Sequence, residues 1–316
     1  MSENSALLFP GQGAQDLGMG RDLAERNSEV MDLWKKAEKI SRVPLRAIYW
    51  EGGENMDDTA RLQPALTVAN LGLWLELSRN FKPNCAAGHS LGEYSALAAA
   101  GVLGFEKVME LVSIRGRLMA DADPEGKGAM AAILKLDLPR ATELVEAVKT
   151  ESGDDPVRAL RIANYNTPTQ FVASGSRRAI ELLQEKAREL KGRAMPLAVS
   201  GAFHSPFMAE ASAELAAYLD KCEFFNPRFP VYCNVTGKAE NSGEALKARL
   251  KEQMTSSVQW IGSVDNMFQA GVRRWVECGP KSILGKMVQQ ILAGKPGAEE
   301  CRYVGVTSCE DLQAFQ

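Results

Sequence analysis

Short apolar runs alternate along the chain with longer segments in which apolar residues recur at three- and four-residue steps. The short runs predict buried strands, and the longer periodic segments predict amphipathic helices. The predicted strands cover residues 6–9, 85–87, 129–134, 160–164, 171–174, 193–197, 230–234, 274–277 and 304–306. The predicted helices cover residues 20–39, 63–80, 93–100, 105–121, 139–150, 177–191 and 243–254, the segment after Trp260 up to Ala270, and a last long helix that opens at Gly279-Pro280. Such alternation is typical of an α/β fold with a mainly parallel sheet.

The order of predicted elements changes between residues 126 and 198. A strand, a helix, two strands, a helix and a strand follow one another there, which is the β-α-β-β-α-β order of a ferredoxin-like unit. We therefore expect a small subdomain at residues 126–198, inserted into a large subdomain made of residues 1–125 and 199–316. A cleft is expected between the two, because ligand sites favour such junctions.

Composition narrows the class of protein. The 316 residues are 45% hydrophobic and 24% charged, which suffices for a large buried core. A net charge of −3 argues against nucleic acid as the main partner. No stretch approaches the roughly 18 apolar residues of a membrane span and the first residues lack a signal-peptide pattern, so we expect a cytoplasmic protein without membrane contact. The six cysteines have no C-x-x-C spacing, which predicts neither a zinc site nor a disulfide framework.

The sequence Gly88-His89-Ser90-Leu91-Gly92 stands between a short apolar run and a predicted helix. A G-x-S-x-G nucleophile elbow requires this order of strand, sharp turn and helix. The two glycines permit the tight turn, so we expect the hydroxyl of Ser90 at its tip as a nucleophile. The backbone N–H of Leu91, at the helix start, is placed to hold an oxyanion beside that serine.

A serine nucleophile needs a base, and the chain has only two histidines. His89 adjoins Ser90 on a tight turn that directs neighbouring side chains apart. His204 is therefore predicted as the general base, which takes the serine proton and returns it to a leaving group. The group that orients the imidazole stays open, because several carboxylates follow His204 and a backbone carbonyl would serve equally well.

Two further features each allow two interpretations. The loop Gly11-Gln12-Gly13 follows the first strand, but Asp16 replaces the third glycine of a dinucleotide-binding motif. The loop is either an ordinary turn or a ligand-binding loop at the carboxyl end of a strand. Arg115 shares the apolar face of its helix, where it either extends to the surface or turns into a cleft to pair with a carboxylate.

Ordered motifs along nearly the whole chain carry a family resemblance. These motifs are Phe9-Pro10-Gly11-Gln12-Gly13-Ala14-Gln15, Gln63-Pro64-Ala65-Leu66, residues 88–97, Arg115-Gly116, residues 128–133, Asn164-Tyr165-Asn166, Phe203-His204-Ser205, Val258-Gln259-Trp260 and Glu277-Cys278-Gly279-Pro280. The sequence resembles the malonyl-CoA:acyl carrier protein transacylases of fatty acid synthesis, a family related to the acyltransferase domains of polyketide synthases. The resemblance implies an α/β-hydrolase-like core with an inserted ferredoxin-like subdomain.

The resemblance also implies catalytic roles for individual residues. Ser90 would be the nucleophile that is malonylated, and His204 its base. The N–H of Leu91 and the side chain of Gln12 would hold the oxyanion. The main-chain carbonyl of Gln259 would orient the imidazole in place of a carboxylate.

The choice of acyl group follows from the same resemblance. Arg115 would pair with the free carboxylate of malonyl. The segment Gly201-Ala202-Phe203-His204 is similar to that of polyketide acyltransferases with malonyl preference, and bulky Phe203 would crowd an α-methyl branch. The remaining side chains expected in the substrate cleft are Gln63, Asn166 and His89.

The implied reaction is ping-pong transfer of malonyl from malonyl-CoA to the phosphopantetheine thiol of holo acyl carrier protein, by a monomer without metal or cofactor other than the CoA thioester substrate. The carrier stays open between fatty acid synthesis and a trans-acting polyketide acyltransferase. A serine thioesterase or acyl hydrolase would use the same elbow with water as the acceptor, and a binding module would use it without catalysis.

Because acyl carrier proteins are acidic, a basic surface should receive the carrier. The candidate clusters are Arg177, Arg178, Lys186, Arg188, Lys191 and Arg193 on the small subdomain, and Lys281 with Lys286 near the last helix.

Overall fold

The computed structural model describes residues 4–52, 55–153, 155, 159–199 and 201–315. Its strands are β1 (Ser5–Phe9), β2 (Cys85–Gly88), β3 (Gly128–Leu134), β4 (Arg161–Thr167), β5 (Gln170–Ser176), β6 (Arg193–Pro196), β7 (Val231–Tyr232), β8 (Ala239–Glu240), β9 (Arg274–Cys278) and β10 (Arg302–Val306). Its α-helices are α1 (Arg21–Arg26), α2 (Ser28–Ser41), α3 (Leu45–Glu51), α4 (Thr59–Leu77), α5 (Gly92–Ala99), α6 (Phe105–Asp121), α7 (Leu138–Ser152), α8 (Arg177–Glu189), α9 (Ala209–Asp220), α10 (Gly243–Glu252), α11 (Trp260–Gln269), α12 (Leu284–Leu292) and α13 (Cys309–Ala314).

Six strands form sheet A in the order β10-β9-β1-β2-β7-β8. All neighbouring pairs are parallel except β7 with β8, which pair antiparallel. Helices cover this sheet and bury its apolar strands, as parallel sheets require. The predicted α/β class with a mainly parallel sheet is confirmed.

The other four strands form antiparallel sheet B, in the order β4-β5-β3-β6. Helices α7 and α8 connect these strands in the ferredoxin-like order and pack on one another over a separate apolar core. The predicted ferredoxin-like unit is thus present as sheet B, and every strand of that sheet lies between residues 128 and 196. The subdomain boundaries at residues 125/126 and 198/199 stay a prediction.

Two helices begin at residues other than the predicted ones, because capping side chains fix their starts. The helix predicted at residues 63–80 begins at Thr59, because the side chain of Asp58 accepts the N–H of Arg61. Pro64, expected in a first turn, therefore lies inside α4, and that prediction is wrong. Similarly, the helix predicted at residues 20–39 is interrupted at Asn27, whose side chain caps the start of α2.

The prediction of a long last helix is also wrong. The sequence pattern opens it at Gly279-Pro280, whereas α12 begins at Leu284 and has nine residues. The buried carboxylate of Glu277 fixes this start, because it accepts the N–H groups of Ile283, Leu284 and Gly285. Helices α3, α9 and α13 are present without having been predicted.

The centre of sheet A brings two loops together. Phe9, the last residue of β1, is paired in register with Gly88, the last residue of β2. The loop that carries Gln12 and the turn that carries Ser90 therefore leave the sheet side by side at its carboxyl edge. Open α/β sheets bind their ligands at this edge.

The described part of the chain has no helix that is both long and apolar enough to cross a membrane. Within the same residues, no group of three or more His, Cys, Asp or Glu side chains is arranged to hold a metal ion. The six cysteines are free thiols.

Candidate active site

Ser90 lies on a sharp turn between β2 and α5. Its backbone is left-handed, with φ of 50°, and this conformation turns the side chain away from the sheet. Only glycine fits on either side of it, because a Cβ on Gly88 would lie 1.9 Å from the carbonyl carbon of Gly92, and one on Gly92 would lie 2.1 Å from the oxygen of Phe9. The local structure is that of a nucleophile elbow.

The side chain of Asn234 holds the turn from below. Its Oδ1 accepts the backbone N–H of Ser90 at 2.6 Å, and its Nδ2 donates to the carbonyl oxygen of Gly88 at 2.6 Å. Asn234 follows β7, the neighbour of β2, and is 1% exposed. These two hydrogen bonds thus fix the backbone on both sides of His89.

The hydroxyl of Ser90 is hydrogen bonded to His204, with 2.8 Å between Oγ and Nε2. The other ring nitrogen, Nδ1, lies 3.0 Å from the carbonyl oxygen of Gln253 and 3.1 Å from that of Ser256. Both partners are acceptors, so Nδ1 carries the proton and Nε2 is free to accept the serine proton.

A main-chain carbonyl therefore orients the imidazole. The prediction that this carbonyl belongs to Gln259 is wrong. The carbonyl oxygen of Gln259 instead accepts the N–H and the hydroxyl of Ser263 in the first turn of α11. The chain forms a short 3-10 turn at Gln253–Thr255, and two carbonyls from this turn and the residue after it face His204.

Burial keeps the imidazole of His204 neutral. The side chain is 3% exposed, and burial together with the nearby charge of Arg115 lowers the pKa of His204 to about 3. The unprotonated form is therefore the resting form throughout the neutral pH range. A neutral imidazole at 2.8 Å can act as the base for the hydroxyl of Ser90.

The guanidinium of Arg115 turns into the site and is fully buried. Its Nη1 donates to Oε1 of Gln63 at 2.8 Å, and its Nη2 donates to Oγ of Ser90 at 3.2 Å and to Oε1 of Gln253 at 3.1 Å. The interpretation in which Arg115 reaches the surface is thus wrong. Within the described residues its Nε is buried and has no hydrogen-bond partner.

Two donors flank Ser90 on the side of the first loop. In the part of the chain that the structure describes, no acceptor takes the backbone N–H of Leu91. The side chain of Gln12 lines the same cavity and donates its Nε2 to the hydroxyl of Thr59 at 3.2 Å. Donors placed in this way can stabilise negative charge that develops on an acyl oxygen.

A cavity of about 210 Å³ opens above these residues. His89 and Asn166 form part of its wall and are joined at 2.8 Å between Nε2 and Oδ1, and Phe203 is buried in the wall beside His204. Sheet B supplies one side of the cavity and α12 another. The residues that line it are Gly11, Gln12, His89, Ser90, Met119, Met130, Ala132, Asn164, Asn166, Gln170, Val172, Leu197, Val199, Phe203, His204, Ile283, Leu284 and Met287.

Comparison with known proteins places this site in a family. A family model described as an acyl transferase domain matches residues 6–315. The malonyl CoA-acyl carrier protein transacylase of Staphylococcus aureus strain MSSA476 is 37% identical over an alignment of 313 residues, and this alignment covers 98% of each chain. This chain belongs to the malonyl-CoA:acyl carrier protein transacylase family. The family predicted from the sequence motifs is therefore confirmed.

Solved structures of transacylases share the fold. The malonyl-CoA:acyl carrier protein transacylase of Xanthomonas oryzae is 31% identical with a TM-score of 0.90, over 100% of this chain and 98% of that one. A malonyl-transacylase solved in complex with a type II polyketide synthase acyl carrier protein is 34% identical with a TM-score of 0.90, over 98% of each chain. The protein is thus an acyltransferase.

Three polar side chains of this transacylase site were missed by the sequence analysis. Asn234 stands two residues after β7, and the rule that ligand sites gather at strand ends could have found it. Glu93 stands one residue after the elbow motif, but the spacing does not reveal that it is buried. Gln253 follows the last turn of α10, and the sequence gives no sign that this helix end enters the site.

Proposed function

We propose that this acyltransferase moves the malonyl group of malonyl-CoA to the phosphopantetheine thiol of acyl carrier protein, by way of a malonyl ester on Ser90. The observation that carries the proposal is the position of Arg115, whose Nη2 lies 3.2 Å from the nucleophilic oxygen. A fixed cation next to a serine nucleophile suits an acyl group that ends in a carboxylate. The relatives compared above are named malonyl-CoA:acyl carrier protein transacylases, and this name describes the same reaction.

In the first half of the reaction, Oγ of Ser90 attacks the thioester carbonyl carbon and Nε2 of His204 accepts the hydroxyl proton. The N–H of Leu91 and the amide of Gln12 hold the negative charge on the carbonyl oxygen. When the carbon–sulfur bond breaks, the coenzyme A sulfur takes the proton from His204. The product is a malonyl ester on Ser90 and a free thiol.

The substrate itself strengthens the base. The charge of Arg115 contributes to the low pKa of His204. A malonyl carboxylate that pairs with Arg115 offsets this charge, so the imidazole becomes more basic once malonyl-CoA is bound. Acetyl-CoA brings no carboxylate and leaves both the guanidinium and the imidazole in their resting state.

The second half reverses these steps with a different thiol. Nε2 of His204 takes the proton of the phosphopantetheine thiol, and the sulfur attacks the ester carbonyl carbon. Collapse of the second intermediate breaks the bond to Oγ of Ser90, which recovers its proton from His204. Water in place of the thiol would make the protein a hydrolase, and mass spectrometry with and without carrier distinguishes the two reactions.

The acyl pocket sets the choice of substrate. Gln63 accepts a hydrogen bond from Nη1 of Arg115 and so fixes the guanidinium, which we propose pairs with the malonyl carboxylate. Phe203 is 4% exposed and lines the cavity together with His204, where its bulk is proposed to crowd an α-methyl branch. We therefore propose a preference for malonyl over both acetyl and methylmalonyl.

A basic surface beside the cavity mouth is proposed to receive the acidic carrier. Some of the predicted cations are already paired: Arg177 donates to the carbonyl of Gly126, Lys186 pairs with Glu151, and Lys281 pairs with Asp16. Of the predicted docking cations, those that are exposed and have no ion pair within the described residues are Arg178, Arg188, Lys191, Arg193 and Lys286. Arg193 lies on β6, four residues before Leu197 of the cavity wall, and Lys286 precedes Met287 of the same wall. These two cations are the best placed to dock a carrier whose prosthetic arm enters the cavity.

The carrier and the cellular setting are proposals of the same kind. We propose a role in fatty acid synthesis, which the sequence resemblance implies, and the transacylase solved with a type II polyketide carrier illustrates the alternative polyketide role. A cytoplasmic monomer without metal or cofactor stays our prediction. Light scattering on the purified protein tests the oligomeric state.

Intact-protein mass spectrometry tests the proposed function. The native chain and the Ser90→Ala variant are exposed briefly to malonyl-CoA, with and without holo acyl carrier protein. We expect a malonyl-sized increment that requires Ser90 and moves to the carrier. An increment that is lost to water regardless of carrier would identify a hydrolase, and no increment on the native chain would identify a binding protein.

A further inference from the structure

Glu93 is a buried carboxylate next to the nucleophile elbow, and neither half of the proposed reaction uses it. It stands in the first turn of α5 and is 1% exposed. Its Oε2 accepts Nε2 of Gln253 at 2.6 Å and the backbone N–H of Asn234 at 3.3 Å. A carboxylate with so little contact with water needs a specific reason to be there.

Gln253 connects this carboxylate to the substrate-binding cation. Its Nε2 donates to Glu93 and also to the carbonyl oxygen of Ser90 at 3.0 Å. Its Oε1 accepts Nη2 of Arg115 at 3.1 Å. The amide can face only one way, because acceptors lie at its nitrogen and a donor lies at its oxygen.

The charge of Glu93 also affects Arg115. Arg115 makes no salt bridge within the described residues, since its partners Gln63, Gln253 and Ser90 are all neutral. Glu93 is the carboxylate whose charge acts on this buried cation. It therefore compensates Arg115 from the far side of the Gln253 amide.

The remaining titratable groups around Glu93 do not supply this charge. The ring of Tyr94 lies 5.6 Å from the guanidinium, and the thiol of Cys233 lies beside the carboxylate. Burial raises the pKa of Tyr94 and of Cys233, so both are neutral at neutral pH. Burial also raises the pKa of Glu93 to about 7, while Gln253, the N–H of Asn234 and Arg115 lower it less than burial raises it.

We propose that Glu93 is a positioning residue that holds Arg115 through Gln253 and supplies its counter-charge in the empty enzyme, and that it takes a proton from solvent when the malonyl carboxylate binds. The inference rests on the proposed function, because it requires a carboxylate on Arg115. Two ionised carboxylates around one buried guanidinium repel each other, so the arrival of the second favours protonation of the first.

The sign of the pH effect follows. Below the pKa of Glu93 the carboxyl is already neutral and malonyl-CoA binds without competition. Above it, binding must also protonate Glu93, so the KM for malonyl-CoA rises between pH 6 and pH 8, by at most about tenfold for a pKa of about 7. Acetyl-CoA shares the coenzyme A moiety but lacks the carboxylate, so its KM should not show this rise. His204, with a pKa of about 3, does not titrate in the window.

The test measures loading of Ser90 by malonyl-CoA and by acetyl-CoA from pH 6 to pH 8, in the wild type and in Glu93→Gln. Glutamine keeps an acceptor for Gln253 and removes the charge. We expect the KM of the variant for malonyl-CoA to be independent of pH and, at pH 8, about threefold to tenfold below that of the wild type. The melting temperature of the variant at pH 8 should not be lower than that of the wild type, because burial makes the ionised form of Glu93 costly in the folded state. Tighter malonyl binding without a loss of stability is a combination that structural damage alone would not produce.

Glu38→Gln is the matched control. Glu38 on α2 pairs with Arg46 on α3 at 2.6 Å, so this variant also removes a carboxylate from an arginine. It should retain the wild-type rise of the malonyl-CoA KM with pH.

Each outcome decides the matter. A wild type with the same pH dependence for both thioesters, or a Glu93→Gln variant that retains the rise, overturns the inference while the proposed function stands. A wild type that malonyl-CoA does not load overturns both. If Glu93→Gln does not fold, the comparison of malonyl-CoA with acetyl-CoA on the wild type is decisive by itself.

Discussion

Ser90 and His204 meet at 2.8 Å between Oγ and Nε2, and both residues have a left-handed backbone, with φ of 50° and 55°. Neither is glycine, and such a conformation costs about 1–3 kcal/mol per residue. The hydrogen bond from Ser90 N–H to Asn234 and the two carbonyls at His204 Nδ1 hold the strained pair in place. The fold therefore gives up stability to bring the nucleophile and the base together.

The strain at Ser90 predicts that glycine at this position stabilises the fold while it abolishes loading. Ser90→Gly removes the Cβ that disfavours φ of 50°, whereas Ser90→Ala retains it. We expect the glycine variant to be about 1 kcal/mol more stable to unfolding than the alanine variant. Urea denaturation of the two variants measures the difference. Equal midpoints would mean that the turn carries no such strain.

The low pKa of His204 predicts how the stability of the folded protein depends on pH. Its folded pKa of about 3 lies below the value of 6.5 that it takes when unfolded, so the unfolded chain binds the proton more tightly. The stability from the neutral ring is complete above pH 6.5 and is lost as the pH falls towards 3. The melting temperature of His204→Gln should therefore fall less between pH 6.5 and pH 4 than that of the wild type. Parallel curves for the two proteins would place the folded pKa of His204 near its ordinary value.

Arg115 predicts the selectivity between acyl groups. Arg115→Met keeps an unbranched apolar stem and removes the charged guanidinium, so the malonyl carboxylate would be buried without a partner. We expect kcat/KM for malonyl-CoA loading to fall about 100-fold or more, which corresponds to the several kcal/mol of an unpaired buried charge. Loading by acetyl-CoA should change far less. Arg115→Lys tests the fork, since it retains the charge and should recover only part of the activity. An equal loss for malonyl-CoA and acetyl-CoA would show a structural role for Arg115 instead.

Phe203 predicts the exclusion of branched acyl groups. The ring is buried in the cavity wall beside His204, so Phe203→Ala opens space next to the α-carbon of the acyl chain. We expect the ratio of methylmalonyl-CoA to malonyl-CoA loading to rise about tenfold, the range set by one methyl group in an apolar pocket. Competition between the two thioesters, read by mass spectrometry, measures this ratio. Similar loading by both thioesters in the wild type would contradict the steric argument.

The elbow and its histidine could be predicted because their signals are local or scarce. Gly88 and Gly92 specify the turn, and a chain with two histidines leaves one candidate base. The apolar periodicity of α6 predicted the burial of its face but not the direction of Arg115, which depends on Gln63 in α4 and Gln253 after α10.

Long-range contacts account for what the sequence could not show. Which carbonyl orients His204 depends on the path of the 3-10 turn at Gln253–Thr255, and motif matching placed it at Gln259. The carboxylate of Glu93 gains its role only when Gln253, 160 positions later, packs beside it. Spacing along the chain does not encode such a meeting.

The surface beside the cavity mouth predicts where the carrier binds. Arg193→Glu and Lys286→Glu each reverse one exposed cation that lies close in sequence to a residue of the cavity wall. We expect the KM for holo acyl carrier protein to rise about threefold to tenfold, with a weaker salt dependence, because attraction to an acidic partner is lost. Malonyl-CoA loading in the absence of carrier should not change. Lys39→Glu reverses an exposed charge on α2 and is the control for net charge alone. If the KM of a variant for the carrier equals that of Lys39→Glu, the substituted cation is not part of the docking surface. If this holds for both Arg193→Glu and Lys286→Glu, the carrier must approach the cavity from another side.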